Sequence, residues 1–405
     1  MRTPASAATD HRPRRRLAVA LGVLAVTWLV GEVALRFAVR RDEDGQEWLR
    51  DIRLRPYQLP LRDIGATLEH LEHGTGFLAY DPDLGWVPRP GARNQDGLQR
   101  VDAGGIRTDG ETTVAPRPGV LRIAVFGDSF TFGDEVALVD TWGAALERGL
   151  AARGVPAEVL NFGVNAYGTD QAYLRWQRSG RRYQPAVVVL GFQPENVLRN
   201  LNVFRPLYFM GSEVPLSKPR FVVRDDALAL VNQPTVPLAR LRAALAALPA
   251  EPTFAYERFF VPHESPWWLR TRMTATVATL VANARSDPFN LSEEARDLAN
   301  RIVAAFAAEV RATGAAFVIV HLPRREDVRT LAARRPLWYE PLLRDLDAHY
   351  TVVRPESVMA ADDDASWAPH GHYVGRLNEL VGAALVEPVL QSVAPATLSA
   401  RRGSP

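Results

Sequence analysis

The 405-residue chain contains no cysteine. This absence excludes disulfides, thiolate nucleophiles, a lipid-modified cysteine and cysteine-based zinc sites. Lys218 is the only lysine, so arginine supplies nearly all the positive charge. The formal net charge of the whole chain is only +2. Residues 1–41 carry a net charge of +6, so the remaining residues carry a net charge of −4. A slightly acidic body gives no electrostatic reason to expect nucleic-acid binding.

The longest apolar run lies close to the N-terminus and follows a cluster of arginines. We predict a basic cytoplasmic tail over 1–16 and a transmembrane anchor over 17–39, because a helix of that length crosses a hydrocarbon core of ~30 Å. The arginine cluster places the N-terminus inside, so the body faces the extracytoplasmic side of the inner (cytoplasmic) membrane. A cleavable signal peptide is the alternative, but Glu32 and Arg36 stand where its small-residue cleavage site belongs.

The body changes character near residue 119. Residues 40–118 are rich in Pro and Gly and predict an irregular lead-in, whereas apolar strands alternate with amphipathic segments from there onward. This alternation predicts an α/β domain with a parallel sheet covered on both faces. Residues 200–290 interrupt it as a long insertion, and 393–405 are predicted to be a disordered tail. The expected strands are 121–126, 157–162, 185–192, 315–322 and 350–355. The expected helices are 140–153, 168–181, 292–313, 327–348 and 373–391.

Four short blocks carry residues that ester chemistry uses. "GDSFTFG" places Ser129 after the first strand, "NFGVNAYG" places Gly163 after the second, and "GFQPEN" places Asn196 after the third. "HGHYVGRLNEL" places His372 just before the last amphipathic segment. Parallel sheets form their sites at the carboxyl ends of the strands. A nucleophile, a base and amide donors expected at one edge indicate acyl transfer through serine.

The four ordered blocks resemble those of the SGNH (GDSL-type) hydrolases over residues 119–392. "DPDLGWVPRPG" and the N-terminal anchor are similar to the membrane-attached bacterial branch of that family. The resemblance implies a three-layer α/β/α fold with a five-stranded parallel, flavodoxin-like sheet. It also implies Ser129 as nucleophile, His372 as base, and Gly163 and Asn196 as donors to the oxyanion.

The third and fourth blocks depart from the family pattern. Glu195 precedes Asn196 where the family has Gly-x-Asn-Asp, which puts the register of the amide in question. Pro369 stands where the family carries the acid that orients the base. Two arrangements remain open: an acid from Asp362, Asp363 or Asp364, or a Ser-His dyad held by a backbone carbonyl.

A second histidine, His370, lies two positions before His372. On an extended segment both side chains face the same way. We expect His372 to be the base because it leads directly into the terminal helix. A two-histidine metal site lacks an evident third ligand, so no metal and no cofactor are predicted.

These observations predict a membrane-anchored serine esterase that removes O-acyl groups, most simply O-acetyl, from a carbohydrate outside the cytoplasm. Its expected partners are the membrane, through the N-terminal helix, and an acylated carbohydrate or small ester. Two alternatives remain: a polysaccharide O-acyltransferase, which shares the acyl-enzyme, and a non-catalytic glycan-binding or assembly protein with a degenerate triad.

Three cations follow the third block, Arg205, Lys218 and Arg220. They either bind an anionic glycan or only anchor the insertion, and the sequence does not choose between these roles.

Overall fold

The computed structural model describes residues 12–56, 58–59, 61–209, 212, 214–248, 252–259, 270–285 and 291–393. Its strands are β1 (Val39–Arg41), β2 (Glu47–Leu49), β3 (Ile52–Arg53), β4 (Leu78–Asp81), β5 (Gly85–Pro88), β6 (Leu121–Phe126), β7 (Ala157–Asn161), β8 (Val187–Phe192), β9 (Arg220–Arg224), β10 (Ala227–Val231), β11 (Ala316–His321) and β12 (Thr351–Val353). Its helices are α1 (Arg12–Ala38), α2 (Leu61–Glu72), α3 (Ser129–Phe132), α4 (Trp142–Ala152), α5 (Thr169–Arg178), α6 (Glu195–Arg199), α7 (Arg205–Tyr208), α8 (Leu238–Ala246), α9 (Arg272–Arg285), α10 (Glu293–Ala312), α11 (Arg325–Ala332), α12 (Glu340–Asp347) and α13 (Arg376–Ser392). The predicted tail beyond 393 lies outside the described residues.

One compact unit comprises Met1–Arg62 with Val261–Asp287. Its described part holds α1, a three-stranded antiparallel sheet of β1–β3, and α9. Within α1, the 23 residues Arg16–Ala38 are long and apolar enough for a membrane span, and a signal sequence would have the same properties. Glu32 Oε2 accepts the Met273 N–H at 2.8 Å, so its carboxylate meets the first turn of α9.

The other unit comprises Asp63–Phe260 with Pro288–Pro405 and is built on five parallel strands. Their order is β12-β11-β8-β6-β7, with Ile123 of β6 opposite Val187 and Val187 opposite Ala316 of β11. This is the flavodoxin-like order, in which the chain reverses direction beside its first strand. Every residue of β6 and β8 is buried, as expected for strands covered on both faces. The predicted fold class is confirmed.

Helices cover both faces of this sheet. On one face Phe126 stacks on Phe162 at 4.8 Å and meets Trp176 of α5 and Phe306 of α10 edge-on. On the other face, α4 and α13 pack with the second side of β6 and β8 in one apolar cluster. Thr141 starts α4 by accepting the Ala144 N–H at 3.3 Å, which fixes where that helix begins.

Two segments differ from their sequence predictions. The expected helix over 327–348 is broken into α11 and α12, because Pro336 disfavours helical geometry at the preceding residue and Arg334 adopts a φ of +54°. The lead-in over 40–118 is more regular than expected, since it contains α2 and the β4–β5 hairpin. The short strands there lack the long apolar alternation that identifies a strand from sequence.

Candidate active site

Ser129 opens α3 directly beyond the carboxyl end of β6. Asp128 caps this helix, since its Oδ1 accepts the Phe130 N–H at 3.0 Å. A Cβ at Gly127 would lie 2.2 Å from Thr131 Oγ1 and 2.8 Å from the Gly191 carbonyl oxygen, so the turn has room only for glycine. The tight turn therefore presents Ser129 at the edge of the sheet, where parallel α/β folds form their sites.

His372 contacts the Ser129 hydroxyl. Its Nε2 lies 2.8 Å from Ser129 Oγ, within the range for a nucleophile and its general base. The imidazole also lies against the Phe130 ring, with centroids 4.9 Å apart. The backbone holds the segment in place, because the Ala368 N–H donates to the His372 carbonyl at 2.9 Å. The structure thus brings the predicted nucleophile and base together.

Glu135 completes a line of three side chains. Its Oε2 lies 2.6 Å from His372 Nδ1, and its Oε1 accepts the His370 backbone N–H at 3.2 Å. One carboxylate therefore fixes both the imidazole and the loop that carries it. With Nδ1 as the donor to Glu135, Nε2 is free to accept the Ser129 proton.

The backbone around Glu135 is itself constrained. Glu135 has a φ of +67°, a conformation that non-glycine residues adopt infrequently, and Gly133 before it is left-handed at +78°. Between them, Asp134 accepts hydrogen bonds from the Asn165 amide at 2.9 Å and from the Gln99 amide. Such strain persists where the surroundings determine the geometry, and here it aims the Glu135 carboxylate at the imidazole.

Pro369 left open which group contacts His372 Nδ1, and in the structure that group is Glu135. Neither predicted arrangement, an acid from 362–364 or a backbone carbonyl, is the one observed. Asp363 accepts the Ser366 hydroxyl at 2.5 Å, and Asp364 pairs with Arg325. The carboxylate that contacts the His372 imidazole comes instead from Glu135, in the loop after the first block. The sequence offered one signal that was missed, an acidic pair immediately after the turn glycine of "GDSFTFGDE".

His370 contributes only its backbone to this site, and the residue is exposed. Within the part of the chain that the structure describes, no group of three or more His, Asp or Glu is placed to hold a metal ion.

Asn196 lies in the first turn of α6, beyond the carboxyl end of β8, and is 1% exposed. Its Oδ1 accepts from Arg199 Nη1 at 2.9 Å, which fixes the amide so that Nδ2 is the free end. Among the described residues, neither Asn196 Nδ2 nor the Ser129 backbone N–H has a hydrogen-bond acceptor. Donors without acceptors are what an oxyanion requires.

Gly163 makes a hydrogen bond within the protein. Its N–H donates to Asn161 Oδ1 at 2.9 Å, so this donor already has an acceptor within the protein. A Cβ at Gly163 would lie 2.4 Å from the Phe132 backbone nitrogen. Close packing against α3 is sufficient to require glycine here, and a contribution to the oxyanion stays a prediction.

Arg199 links the first and third blocks, and sequence reasoning did not identify it. Its Nη1 donates to Asp128 Oδ2 at 2.8 Å and its Nη2 to Glu195 Oε2 at 3.0 Å. Burial alone would lower the pKa of Arg199, but the carboxylates of Asp128 and Glu195 raise it above its ordinary value. Glu195 therefore accepts from Arg199 and not from the Asn196 amide. The spacing of Arg199 four residues after Glu195 on a helix was the available signal.

Comparison with known proteins gives structural likeness only. No family model and no curated protein matches the chain. Among solved structures, a protein described as a lipolytic member of the G-D-S-L family from Desulfitobacterium hafniense is 13% identical, with a TM-score of 0.33, over 66% of this chain and 99% of its own. A lipase/acylhydrolase from Enterococcus faecalis is 15% identical, with a TM-score of 0.35, over 68% and 97%. A catalytic mutant of an acetylxylan esterase from Geobacillus stearothermophilus is 10% identical, with a TM-score of 0.35, over 67% and 94%. Identities this low do not transfer an activity, so the function proposed below rests on the geometry of this chain.

Proposed function

We propose that the protein is a serine esterase with Ser129 as nucleophile, His372 as general base and Glu135 as the acid that orients the base. The observation that carries this proposal is the continuous line from Ser129 Oγ to His372 Nε2 at 2.8 Å and from His372 Nδ1 to Glu135 Oε2 at 2.6 Å. The alternative of a non-catalytic protein depended on a missing acid, and Glu135 supplies one.

The acylation step follows from these contacts. Ser129 Oγ attacks the ester carbonyl carbon while His372 Nε2 takes the hydroxyl proton, and the carbonyl oxygen becomes an oxyanion. The Ser129 N–H and Asn196 Nδ2 stabilise that charge because they are donors already fixed in place. When the tetrahedral intermediate collapses, the C–O bond to the alcohol breaks and His372 returns the proton to the leaving oxygen.

Deacylation repeats the sequence with water. His372 removes a proton from the water, whose oxygen attacks the acyl carbon, and the intermediate releases the carboxylic acid as Ser129 recovers its proton. Glu135 holds the imidazole in place and stabilises the imidazolium that forms twice in each cycle.

The finer proposal is that the substrate is an O-acyl ester, most simply an O-acetyl ester, of a carbohydrate outside the cytoplasm, reached by an enzyme anchored in the membrane. The four-block resemblance supports the ester class. The apolar segment Arg16–Ala38 supports the anchor, and the preceding arginines support an inside N-terminus.

Acetate release from an acetylated glycan tests the activity. The full-length protein in detergent is expected to release acetate, and Ser129→Ala is expected to release none above the uncatalysed rate. Equal release by both proteins contradicts the assignment.

A phosphatase reporter fused after residue 60 tests the topology: we expect activity outside the cytoplasm, and a fusion active only inside contradicts the anchor. Acetyl transfer to an added glycan acceptor in place of hydrolysis indicates a transferase.

A further inference from the structure

Two of the three cations that follow the third block have structural roles. Lys218 Nζ pairs with Asp170 Oδ2 at 2.5 Å, and both side chains are buried. Arg220 Nη2 pairs with Glu294 Oε1 at 2.6 Å. These contacts hold the insertion in place, so neither residue is available for a ligand.

Arg205 has no such carboxylate partner. The residue is only 6% exposed, and its Nε and Nη1 are buried without a hydrogen-bond partner. Its guanidinium lies over two rings, with Cζ 5.2 Å from the Tyr208 centroid and 5.5 Å from that of Phe209. Burial lowers its pKa to about 9, so the group still carries its charge at neutral pH. Glu195 and Asp128 attract this charge through space, but no described residue accepts a hydrogen bond from Nε or Nη1. Buried donors without acceptors are costly, which favours an acceptor supplied by a ligand.

A short chain of contacts connects Arg205 with the site. Tyr208, whose ring lies beside Arg205, places its hydroxyl 3.4 Å from Glu195 Oε2. Glu195 contacts Arg199, and Arg199 contacts Asp128, the neighbour of the nucleophile. Arg205 therefore lies at the same carboxyl edge of the sheet as Ser129.

Glu195, a carboxylate that attracts Arg205, already accepts hydrogen bonds from other arginines. Glu195 accepts from Arg199 at 3.0 Å and from Arg324 at 3.4 Å. Burial opposes ionisation of Glu195, but the neighbouring arginines, Arg199 foremost, lower its pKa below the ordinary range. Arg205 also attracts Glu195 but makes no hydrogen bond to it, so the Arg205 donors stay unused.

We propose that Arg205 binds an anionic group of the substrate, a carboxylate or a phosphate, and so makes the enzyme selective for acidic acylated carbohydrates. This inference rests on the proposed esterase function. A guanidinium presents donors in a planar fork that matches the oxygens of a carboxylate or phosphate. Bound at Arg205, such a group pairs the buried charge while a neighbouring acylated hydroxyl reaches Ser129.

The first test is binding, which requires no catalysis. We would titrate glucuronate, glucose 6-phosphate and glucose into the full-length Ser129→Ala protein in detergent by calorimetry. At least one anionic sugar is expected to bind about tenfold or more tightly than glucose, since hydrogen bonds to charged groups are the strong ones. The two anionic sugars distinguish carboxylate from phosphate.

Variants test whether Arg205 causes the preference for anionic sugars. Arg205→Gln is expected to bind all three sugars equally, and Arg205→Lys to keep part of the preference because the charge remains. Arg240→Gln removes an exposed arginine from α8 in the same insertion and is the matched control, with the preference unchanged. Circular dichroism checks that each variant folds. If Arg205→Gln does not fold, the Arg205→Lys variant is compared with the protein that retains Arg205. A preference for anionic sugars that is weaker in Arg205→Lys still supports the anion site, and an identical preference overturns it.

Catalysis separates this proposal from the esterase assignment. Acetyl esters of the same three sugars are compared with neutral p-nitrophenyl acetate. We expect a kcat/KM for the anionic esters about tenfold above that of acetylglucose, lost in Arg205→Gln, with p-nitrophenyl acetate unaffected. Hydrolysis of p-nitrophenyl acetate without any preference among the sugars overturns the anion site and leaves the esterase intact. No hydrolysis of any ester, with anion-selective binding retained, overturns the esterase and leaves the anion site.

Discussion

Glu135 and His372 are 237 residues apart in sequence, yet Glu135 Oε2 lies 2.6 Å from His372 Nδ1. The same carboxylate also accepts the His370 backbone N–H. One loop after the first strand therefore positions both the imidazole and the C-terminal segment that carries it. In the proposed triad, the acid that orients the base therefore comes from the same loop region as the nucleophile.

Replacing Glu135 tests this arrangement. Glu135→Gln is expected to lower kcat by about 10³–10⁴, because the amide neither fixes the required tautomer nor stabilises the imidazolium; loss of the corresponding acid in a serine protease costs ~10⁴. Asp364→Asn is the control, since that carboxylate is exposed and pairs with Arg325. Initial rates on p-nitrophenyl acetate measure both. A larger loss in Asp364→Asn than in Glu135→Gln would place the acid where the fourth block suggested.

The two histidines have separable roles. His372→Ala is expected to abolish turnover, because no other described side chain hydrogen-bonds to the Ser129 hydroxyl. His370→Ala is expected to keep more than half of it, since only the His370 backbone N–H enters the site. Steady-state kinetics of both variants decide this. The reverse ranking would make His370 the base.

Asn196 is expected to act on the transition state more than on the bound substrate. Asn196→Ala should lower kcat by about 10²–10³ with little change in KM, the cost of ~2.7–4 kcal/mol seen when one such donor is removed. A loss below threefold would mean that the free Nδ2 does not face the oxyanion. Gly163→Ala is no useful counterpart, because the added Cβ would meet the Phe132 backbone nitrogen at 2.4 Å.

A buried pair away from the site predicts a loss of stability in acid. His321 Nδ1 lies 3.0 Å from Glu356 Oε2. Burial opposes ionisation of Glu356, but His321 and then Arg354 outweigh it and lower its pKa from an ordinary 4.5 to about 2. A carboxylate with a depressed pKa stabilises the fold above its unfolded pKa, and this contribution is lost as pH falls from about 4.5 to 2.

The size of this effect is about 3 kcal/mol, since each pKa unit corresponds to ~1.4 kcal/mol. Urea unfolding between pH 7 and pH 2 should show this contribution in the unmodified protein and lack it in Glu356→Gln. Glu326→Gln, which alters an exposed carboxylate, should follow the unmodified protein. Parallel pH curves for all three proteins would exclude the pair as the source.

The fold and part of the candidate site, including Ser129 and Asn196, could be predicted from the sequence for physical reasons. Strands buried on both faces are continuous apolar runs, so β6 was predicted with its observed bounds. Ser129 and Asn196 follow such strands, where their position indicates a function. Glu135 follows no strand, and its partner is distant in sequence, so only the folded chain shows the contact. The role of Arg199 was not predicted for a similar reason, because its partner Asp128 follows a different strand and is distant in sequence.

Labelling with a fluorophosphonate tests the central claim most directly, because the reagent reacts with a serine only when a base activates it. Intact-mass analysis of the full-length protein should show one adduct, mapped by peptide sequencing to Ser129. Labelling should be absent in Ser129→Ala and His372→Ala and much slower in Glu135→Gln. Absence of an adduct on the unmodified protein across pH 6–9, or an adduct that persists in Ser129→Ala, would contradict a catalytic triad of Ser129, His372 and Glu135.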